Sequence, residues 1–599
     1  MEIQDKIQNL IKEVLTRLDI KSEASFVVEH PADMKMGDYS TNVAMVYAKQ
    51  LGMNPKELAE KIVKILTPSS SPLSGGEIPS LIREGEGGFI EKIEVAGPGF
   101  INFYLSKKFF FNFLNEILED EKFGKNNAKE GEIIMVEYTD PNPFKPFHIG
   151  HLMSNSIGES LSRLVEYSGA ETIRANYQGD VGLHVAKAIY GILQKGIPDS
   201  SKTVNEQAEY IGECYSFASN LYEEDEEIKK EINKINKQIY EKSDEKINEI
   251  YMLGRVITLE AFENIYKLLG TKFKHYFFES DMADRGTKIV RDNMKKAEVE
   301  DESPESNRRI FEESNGAIVF HGEKHDPKLH TRVFINSEGL PTYETKEIGL
   351  TVTKFEKENP DTSIVITAIE QGEYMRVVAK AISLIYPEYE SRMRHITHGM
   401  LRFATGKMSS RKGNIITGES LIKDVSNAIL EKIKDRDFTE GEKTDIANKV
   451  GVGALKFSIL KQAPGGDIIY DFEKSISFEG DSGPYLQYSF ARANSLLNKA
   501  KEQGIDINTI SKNSEILEIE KMLYKFPEVV IRAQEEYAPH YITHYLLELA
   551  RAFNSFYGNN QIVNKEDESS PYKLAITSAF ARIMQNGLYL LGIESPEKM

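Results

Sequence analysis

The sequence predicts a doubly wound α/β core with appended helical domains, and three observations carry that prediction. First, residues 133–138 form a short apolar run, 139–147 a proline-rich loop, 149–168 a helical stretch closed by Gly169, and 172–176 a second strand-like run. Strand, loop, helix and strand in that order make a βαβ unit, the repeating half of a parallel sheet. Second, strand-like segments return at 317–320, 332–335, 363–367 and 395–397, and are expected to complete the interrupted sheet. Third, beyond about residue 418 only helical periodicity is visible, as in Leu546, Leu549, Ala550 and Phe553. The last third is therefore expected to be an α-bundle.

The flanking segments follow from the same patterns. Ile3, Ile7, Leu10, Ile11, Val14, Leu15 and Leu18 recur at helical spacing. Asn54-Pro55 opens a second helix, asparagine as cap and proline in the first turn. Residues 67–88 are rich in Ser, Pro and Gly and read as a flexible loop. The runs 89–95 and 100–104 around Gly97-Pro98-Gly99 read as a strand pair. Between 195 and 262 the chain is helical and highly charged, with Glu223, Glu224, Asp225, Glu226 and Glu227 in succession, as in a solvated insertion. The expected organisation is an appended N-terminal module (1–128), a first catalytic half (129–195), the helical insertion (196–262), a second catalytic half (263–417), a helical connection (418–459) and a C-terminal helical domain (460–599).

Composition bounds the chemistry. At roughly 150 residues per domain, 599 residues suggest about four domains. Cys214 is the only cysteine, which excludes an intramolecular disulfide framework and a thiolate zinc cage. No run of 18 apolar residues exists to span a membrane as a helix. Asp5, Lys6, Lys12 and Glu13 interrupt the first apolar positions, unlike a signal peptide. The net charge of −19 excludes a uniformly basic coat but leaves room for local basic faces. These features point to a cytosolic, multi-domain chain.

Two motifs carry chemistry. Phe147-His148-Ile149-Gly150-His151 stands where the first strand gives way to a helix, and helix N-termini favour anions. Gly150 leaves room for a nucleotide to approach the backbone. The second motif, Lys407-Met408-Ser409-Ser410-Arg411-Lys412-Gly413-Asn414, combines cations, small hydroxyls and a glycine, a composition suited to a mobile phosphate clamp. In this order the two resemble the HIGH and KMSKS signatures of class I aminoacyl-tRNA synthetases.

The surrounding residues narrow the resemblance to the arginyl-tRNA synthetase family. They are Glu137-Tyr-Thr-Asp-Pro-Asn142-Pro-Phe-Lys145-Pro-Phe-His148, Asn176-Tyr177-Gln178-Gly179-Asp180-Val181-Gly182, Tyr343-Glu-Thr-Lys-Glu347-Ile-Gly, Gln371, and Ser477-Phe-Glu-Gly-Asp-Ser-Gly-Pro-Tyr-Leu-Gln-Tyr488. Gly37-Asp38-Tyr39 and Gly97 to Asn102 are similar to that family's appended N-terminal domain.

The resemblance implies an arginine–tRNA ligase that uses ATP with Mg²⁺ and no zinc, binds L-arginine and tRNA(Arg), touches no membrane and works as a cytoplasmic monomer. The expected ATP-binding residues are Phe147, His148, Gly150, His151, Lys407, Met408, Ser409 and Ser410. His148, His151, Lys145, Lys407 and Lys412 are the expected catalytic groups. Arginine recognition needs planar acceptors for a five-donor guanidinium. Glu347 with Tyr343 is the first candidate pair, Glu137 assisting, while Asn142 and Gln371 suit the α-amino and carboxylate end.

The sequence departs from the family pattern in three places. Glu347 stands where aspartate is common, Tyr374 where histidine is frequent, and Ser410 where the second lysine of KMSKS stands; Lys145 is the family's substitute lysine. The C-terminal helices are implied to bind the anticodon region, with Tyr541, Tyr545, Phe553, Phe556 and Tyr557 as aromatics available to stack or to pack. The competing readings are another class I synthetase or a non-catalytic tRNA-binding paralogue.

Overall fold

The computed structural model describes residues 3–21, 24–67, 88–294, 310–404, 417–509 and 515–599. Its centre is a five-stranded, wholly parallel sheet. The strand order is Met393–His398, Thr362–Ala368, Ile133–Glu137, Glu171–Gln178, His275–Phe278. Ile133–Glu137 is central because Ile134, Met135 and Val136 are apolar on both faces, and all three are fully buried. The strand order reverses beside it, between Ile133–Glu137 and Thr362–Ala368, which opens a crevice at the carboxyl ends of the strands.

The runs at 363–367 and 395–397 join this sheet as expected, whereas those at 317–320 and 332–335 do not. They pair antiparallel with each other, and Ala317–His321 pairs in turn with Glu312–Ser314, in a separate three-stranded sheet. A short apolar run marks a strand without saying which sheet it joins, because partners are set by contacts remote in sequence. The edge strand His275–Phe278 has only the three aromatic residues Tyr276–Phe278 as its apolar run, too short to mark it as a strand by pattern.

The insertion folds as three helices, Val204–Glu224, Glu226–Glu241 and Glu245–Leu268. Within its acidic run Asp225 has a structural use, since its carboxylate accepts the backbone N–H groups of Glu227 and Ile228 at 2.8 and 3.2 Å. In the N-terminal unit, helix Ile3–Arg17 buries Ile3, Ile7, Leu10, Ile11, Val14 and Leu15 against a four-stranded antiparallel sheet. Asn54 caps helix Pro55–Leu66 by accepting the Lys56 N–H. The loop expected at 67–88 falls, but for its two ends, outside the described residues.

The last third is helical apart from Ile468–Tyr470, which pairs with Leu401–Phe403. Three residues are too few to show a period in the sequence. The final helix Ser570–Leu590 ends against the parallel-sheet core, where its terminal carbonyls find donors. Arg163 serves Tyr589 at 2.9 Å, Ser160 serves Leu590 at 2.8 Å, and Lys456 serves both Gly592 and Leu269 at 2.6 Å.

Candidate active site

His148 is the N-cap of helix Ile149–Tyr167, at the crevice, and His151 lies one turn on. The His148 N–H donates to His151 Nδ1 at 3.2 Å, and the His151 N–H donates to His148 Nδ1 at 3.3 Å. The rings stack with centroids 3.4 Å apart. With Nδ1 accepting in both rings, each neutral imidazole carries its proton on Nε2. The crowded cleft and the Lys145 ammonium hold His148 down at about 4, and burial with His148 holds His151 well below its ordinary value. The pair is therefore a neutral double donor at pH 7.

The space beside Gly150 belongs to His148. A Cβ there would meet the His148 ring at 3.0 Å, so the glycine admits the capping ring rather than leaving an open gap. The Phe147 side chain is buried beside His151, ring centroids 5.3 Å apart. Its carbonyl accepts the Gly418 N–H at 2.8 Å, and His148 pairs with Thr417. Lys145 lies at the rim, with Nζ 5.2 Å from the Tyr215 ring of the insertion.

The loop between strand and helix is held in unusual backbone. Thr139, Asp140 and Phe144 have φ of 80°, 45° and 68°. A β-branched residue at positive φ is a strained one and persists only when its surroundings fix it. Ser154 Oγ accepts the Thr139 N–H at 3.0 Å, Asn155 donates to Thr139 Oγ1 at 3.0 Å, and Asp140 accepts the Tyr177 N–H at 2.8 Å.

Behind this loop lies a nest of carboxylates. Glu137 is 1 % exposed and pairs with Lys354 at 2.9 Å. Glu279, also buried, pairs with Lys346 at 2.6 Å. Glu347 has no cationic partner among the described residues. Its one hydrogen bond comes from Tyr374 Oη at 3.4 Å, and burial together with Glu137 pushes its carboxyl up to about 8. Burial and Glu137 also push Asp140 well above the usual carboxylate range. Four carboxyl groups thus share two ammonium groups, and the two left over, Glu347 and Asp140, favour holding protons that an incoming cation would displace. Gly179 brings the walls together, since a Cβ there would meet Asn142 Oδ1 at 2.3 Å and Glu279 Oε1 at 2.9 Å.

Of the expected arginine-site residues, Glu137, Asn142 and Glu347 come together here. Tyr343, four residues before Glu347 on the same helix, is exposed, with Lys346 Nζ 5.1 Å from its ring. Gln371 is exposed, one short turn beyond strand Thr362–Ala368 and directly before helix Gly372–Ile385, to which its side chain gives no capping bond. Lys407, Met408, Ser409, Ser410 and Lys412 lie outside the described residues. Sequence reasoning missed Asp140, Tyr177, Glu279, Lys346 and Lys354. Asp140, Tyr177 and Lys346 lie inside the motif segments, but Glu279 follows a strand too short to be announced by pattern.

A second concavity lies in the helical bundle. It encloses about 570 Å³ among Phe478, Tyr485, Tyr488, Arg492 and Asn554, with Lys432 and Arg436 also lining it. The Arg492 guanidinium is 4.9 Å from the Tyr488 ring and 4.8 Å from that of Tyr557. Of the five bundle aromatics, Tyr545, Phe553 and Phe556 are core, Tyr541 packs on Arg532, and Tyr557 is exposed.

The chain matches three family models: the catalytic domain of class I (R) tRNA synthetases over residues 113–472, the DALR anticodon binding domain over 486–599, and the arginyl tRNA synthetase N-terminal domain over 5–105. It is 31 % identical to the arginine–tRNA ligase of Clostridium perfringens, covering 96 % of each chain. It is 29 % identical to that of Clostridium beijerinckii over the whole of both. In fold it is similar to the arginyl-tRNA synthetase of Thermus thermophilus, with a TM-score of 0.77, 22 % identity and full coverage of both chains.

Proposed function

The chain belongs to the arginyl-tRNA synthetase family of class I, and on that premise we propose how its own residues divide the work. Its activity is that of an ATP-dependent arginine–tRNA ligase, which forms arginyl-adenylate and pyrophosphate and then transfers arginine to tRNA. The first step is an in-line attack of the arginine carboxylate on the α-phosphate. It calls for positioning and charge stabilisation rather than a covalent enzyme intermediate.

In this reading the two Nε2–H groups of His148 and His151 donate to phosphate oxygens as negative charge builds on them. Lys145, Lys407 and Lys412 supply the cations, and Mg²⁺ enters with ATP as part of the substrate. Support comes from Thr417, the first described residue after Lys407–Asn414, which pairs with His148. Glu347 receives the guanidinium, Tyr343 covers it, and Asn142 and Gln371 hold the α-amino and carboxylate end. Glu137, already paired with Lys354, sets the negative potential of the pocket without needing to touch the substrate.

The carrying observation is the surplus of buried carboxylate around Glu347. Arginine brings the missing charge, and no other proteinogenic side chain brings five N–H donors with it.

For tRNA, the cavity around Arg492 has the aromatic and cationic walls that an unpaired base stacks on, within the part of the chain similar to anticodon binding domains. The N-terminal unit would reach the tRNA outer corner. Among the described residues no helix is long and apolar enough to cross a membrane, and we place the enzyme in the cytoplasm as a monomer.

ATP–pyrophosphate exchange against all twenty amino acids, with and without tRNA, tests the assignment. Exchange should depend on arginine alone. Exchange with another amino acid would overturn this reading of the pocket, and none under any condition would favour a non-catalytic paralogue.

A further inference from the structure

A guanidinium carries five N–H donors, and a carboxylate receives two of them in a bidentate pair. The acceptors around Glu347 are largely committed. Glu137 is taken by Lys354 at 2.9 Å and Glu279 by Lys346 at 2.6 Å. Asp140 accepts the Tyr177 N–H at 2.8 Å, and two hydroxyls stand beside these acids.

Tyr374, in the first turn of helix Gly372–Ile385, donates to Glu347 Oε1 at 3.4 Å. This is a long bond, yet it is the one hydrogen bond to that carboxylate among the described residues. Tyr177, near the end of strand Glu171–Gln178, is 8 % exposed, and its buried hydroxyl has no hydrogen-bond partner among the described residues. Such a group costs free energy unless something pairs with it, so each instance asks for an explanation. Tyr177 shares one buried cluster with Met282 and Leu350, residues of the two helices that carry Glu279 and Glu347.

We infer that these two tyrosines complete the arginine pocket. Tyr374 is a positioning residue that orients the Glu347 carboxylate, and the Tyr177 hydroxyl is a substrate contact that accepts a guanidinium N–H which Glu347 leaves over. Burial and the surrounding carboxylates hold both phenols well above their ordinary value, so each keeps its proton. Tyr374 can then donate, while Tyr177 still offers its lone pairs. The inference rests on Glu347 as the guanidinium acceptor.

The test is a pair of double-mutant cycles, read by pyrophosphate exchange with tRNA present. Tyr177→Phe and Tyr374→Phe keep the ring and remove only the hydroxyl. Each should raise the arginine KM by about 5- to 10-fold, the size of one hydrogen bond, with ATP KM and kcat changed by less than about twofold. The two should separate when combined with Glu347→Gln. The Tyr177 effect should multiply with that of Glu347, because it acts on the substrate directly. The Tyr374 effect should vanish, because it acts through the carboxylate.

KM ratios do not depend on the folded fraction, so partial loss of protein leaves the reading intact. An unchanged arginine KM in both phenylalanine variants, with a raised one in Glu347→Gln, would overturn the inference alone. An unchanged KM in Glu347→Gln would overturn it together with the guanidinium assignment, and would identify that assignment as the step that failed.

Discussion

His148 and His151 each satisfy the other's backbone: the two N–H···Nδ1 bonds of 3.2 and 3.3 Å form a reciprocal cap in which both acceptors are imidazoles. The usual capping box joins a hydroxyl to a carboxyl or amide side chain. Here the same closure also fixes which nitrogen of each ring holds the proton, so a local helix signal and a donor for phosphate oxygen are one structure.

The first prediction follows from this cap. Protonating either ring requires Nδ1 to give up its bond, and His148 stays neutral down to about pH 4. The acid limb of kcat/KM should therefore not show an imidazole near 6.5. A folded-state value below the unfolded one means that unfolding takes up protons between 4 and 6.5. Stability should thus rise with pH across that window, and His148→Asn should flatten the slope. His151→Ala should lower kcat by about 10²–10³ with ATP KM little changed. A loss of ATP affinity alone would reassign the ring to ground-state binding.

Arginine binding should be coupled to a proton. Glu347 is pushed up to about 8 by burial and by Glu137, so at pH 7 it is largely protonated before arginine arrives. A guanidinium favours the carboxylate, so binding releases a proton and arginine affinity should rise with pH up to about 8. Calorimetry in buffers of different ionisation enthalpy would count that proton. Glu347→Gln should abolish its release and raise the arginine KM by roughly 30-fold or more, the cost of removing a buried charge partner. Proton uptake on binding would contradict the scheme.

Lys456 should make the domain junction pH-sensitive. It is fully buried, donates to the carbonyls of Leu269 and Gly592, and is lowered to about 7 by burial and Arg163. The unfolded chain then binds the extra proton from pH 7 to 10.5, so this group's contribution to stability improves as pH rises through that window. Lys456→Met should cost roughly 1–3 kcal/mol for each carbonyl left without a donor. Its deficit against the parent protein should grow between pH 7 and 9 in thermal unfolding. A deficit that stays flat over this range would show the lysine to be charged throughout.

Arg492→Ala should act on tRNA alone. Losing the guanidinium between Tyr488 and Tyr557 removes one wall of the bundle cavity. A base stacked there contributes about 1–3 kcal/mol, so the tRNA KM should rise by about 10-fold. Arginine and ATP KM values in exchange assays at saturating tRNA should stay put. A change in the arginine KM instead would mean that the cavity communicates with the carboxylate pocket.

The sequence by itself determined whatever depends on neighbours within a few residues. Helical spacing from Ile3 to Leu18, Asn54 as a cap, the strand–loop–helix unit around His148 and the bundle after 418 are all local patterns, and local backbone preference writes them. The two motifs in order resemble class I synthetases, and the residues around them narrow that resemblance to the arginyl family.

Tertiary structure decided what depends on partners far along the chain. Lys354 lies 217 positions from Glu137, and Lys346 lies 67 from Glu279. No spacing rule links residues so far apart, yet these pairs leave Glu347 and Asp140 as the acids of the nest without an ion-pair partner among the described residues. The same holds for the runs at 317–320 and 332–335, whose strand character was legible and whose sheet was not. Hydrogen-bond registers and Coulomb interactions act through space at a few ångströms, and only the folded chain sets those distances.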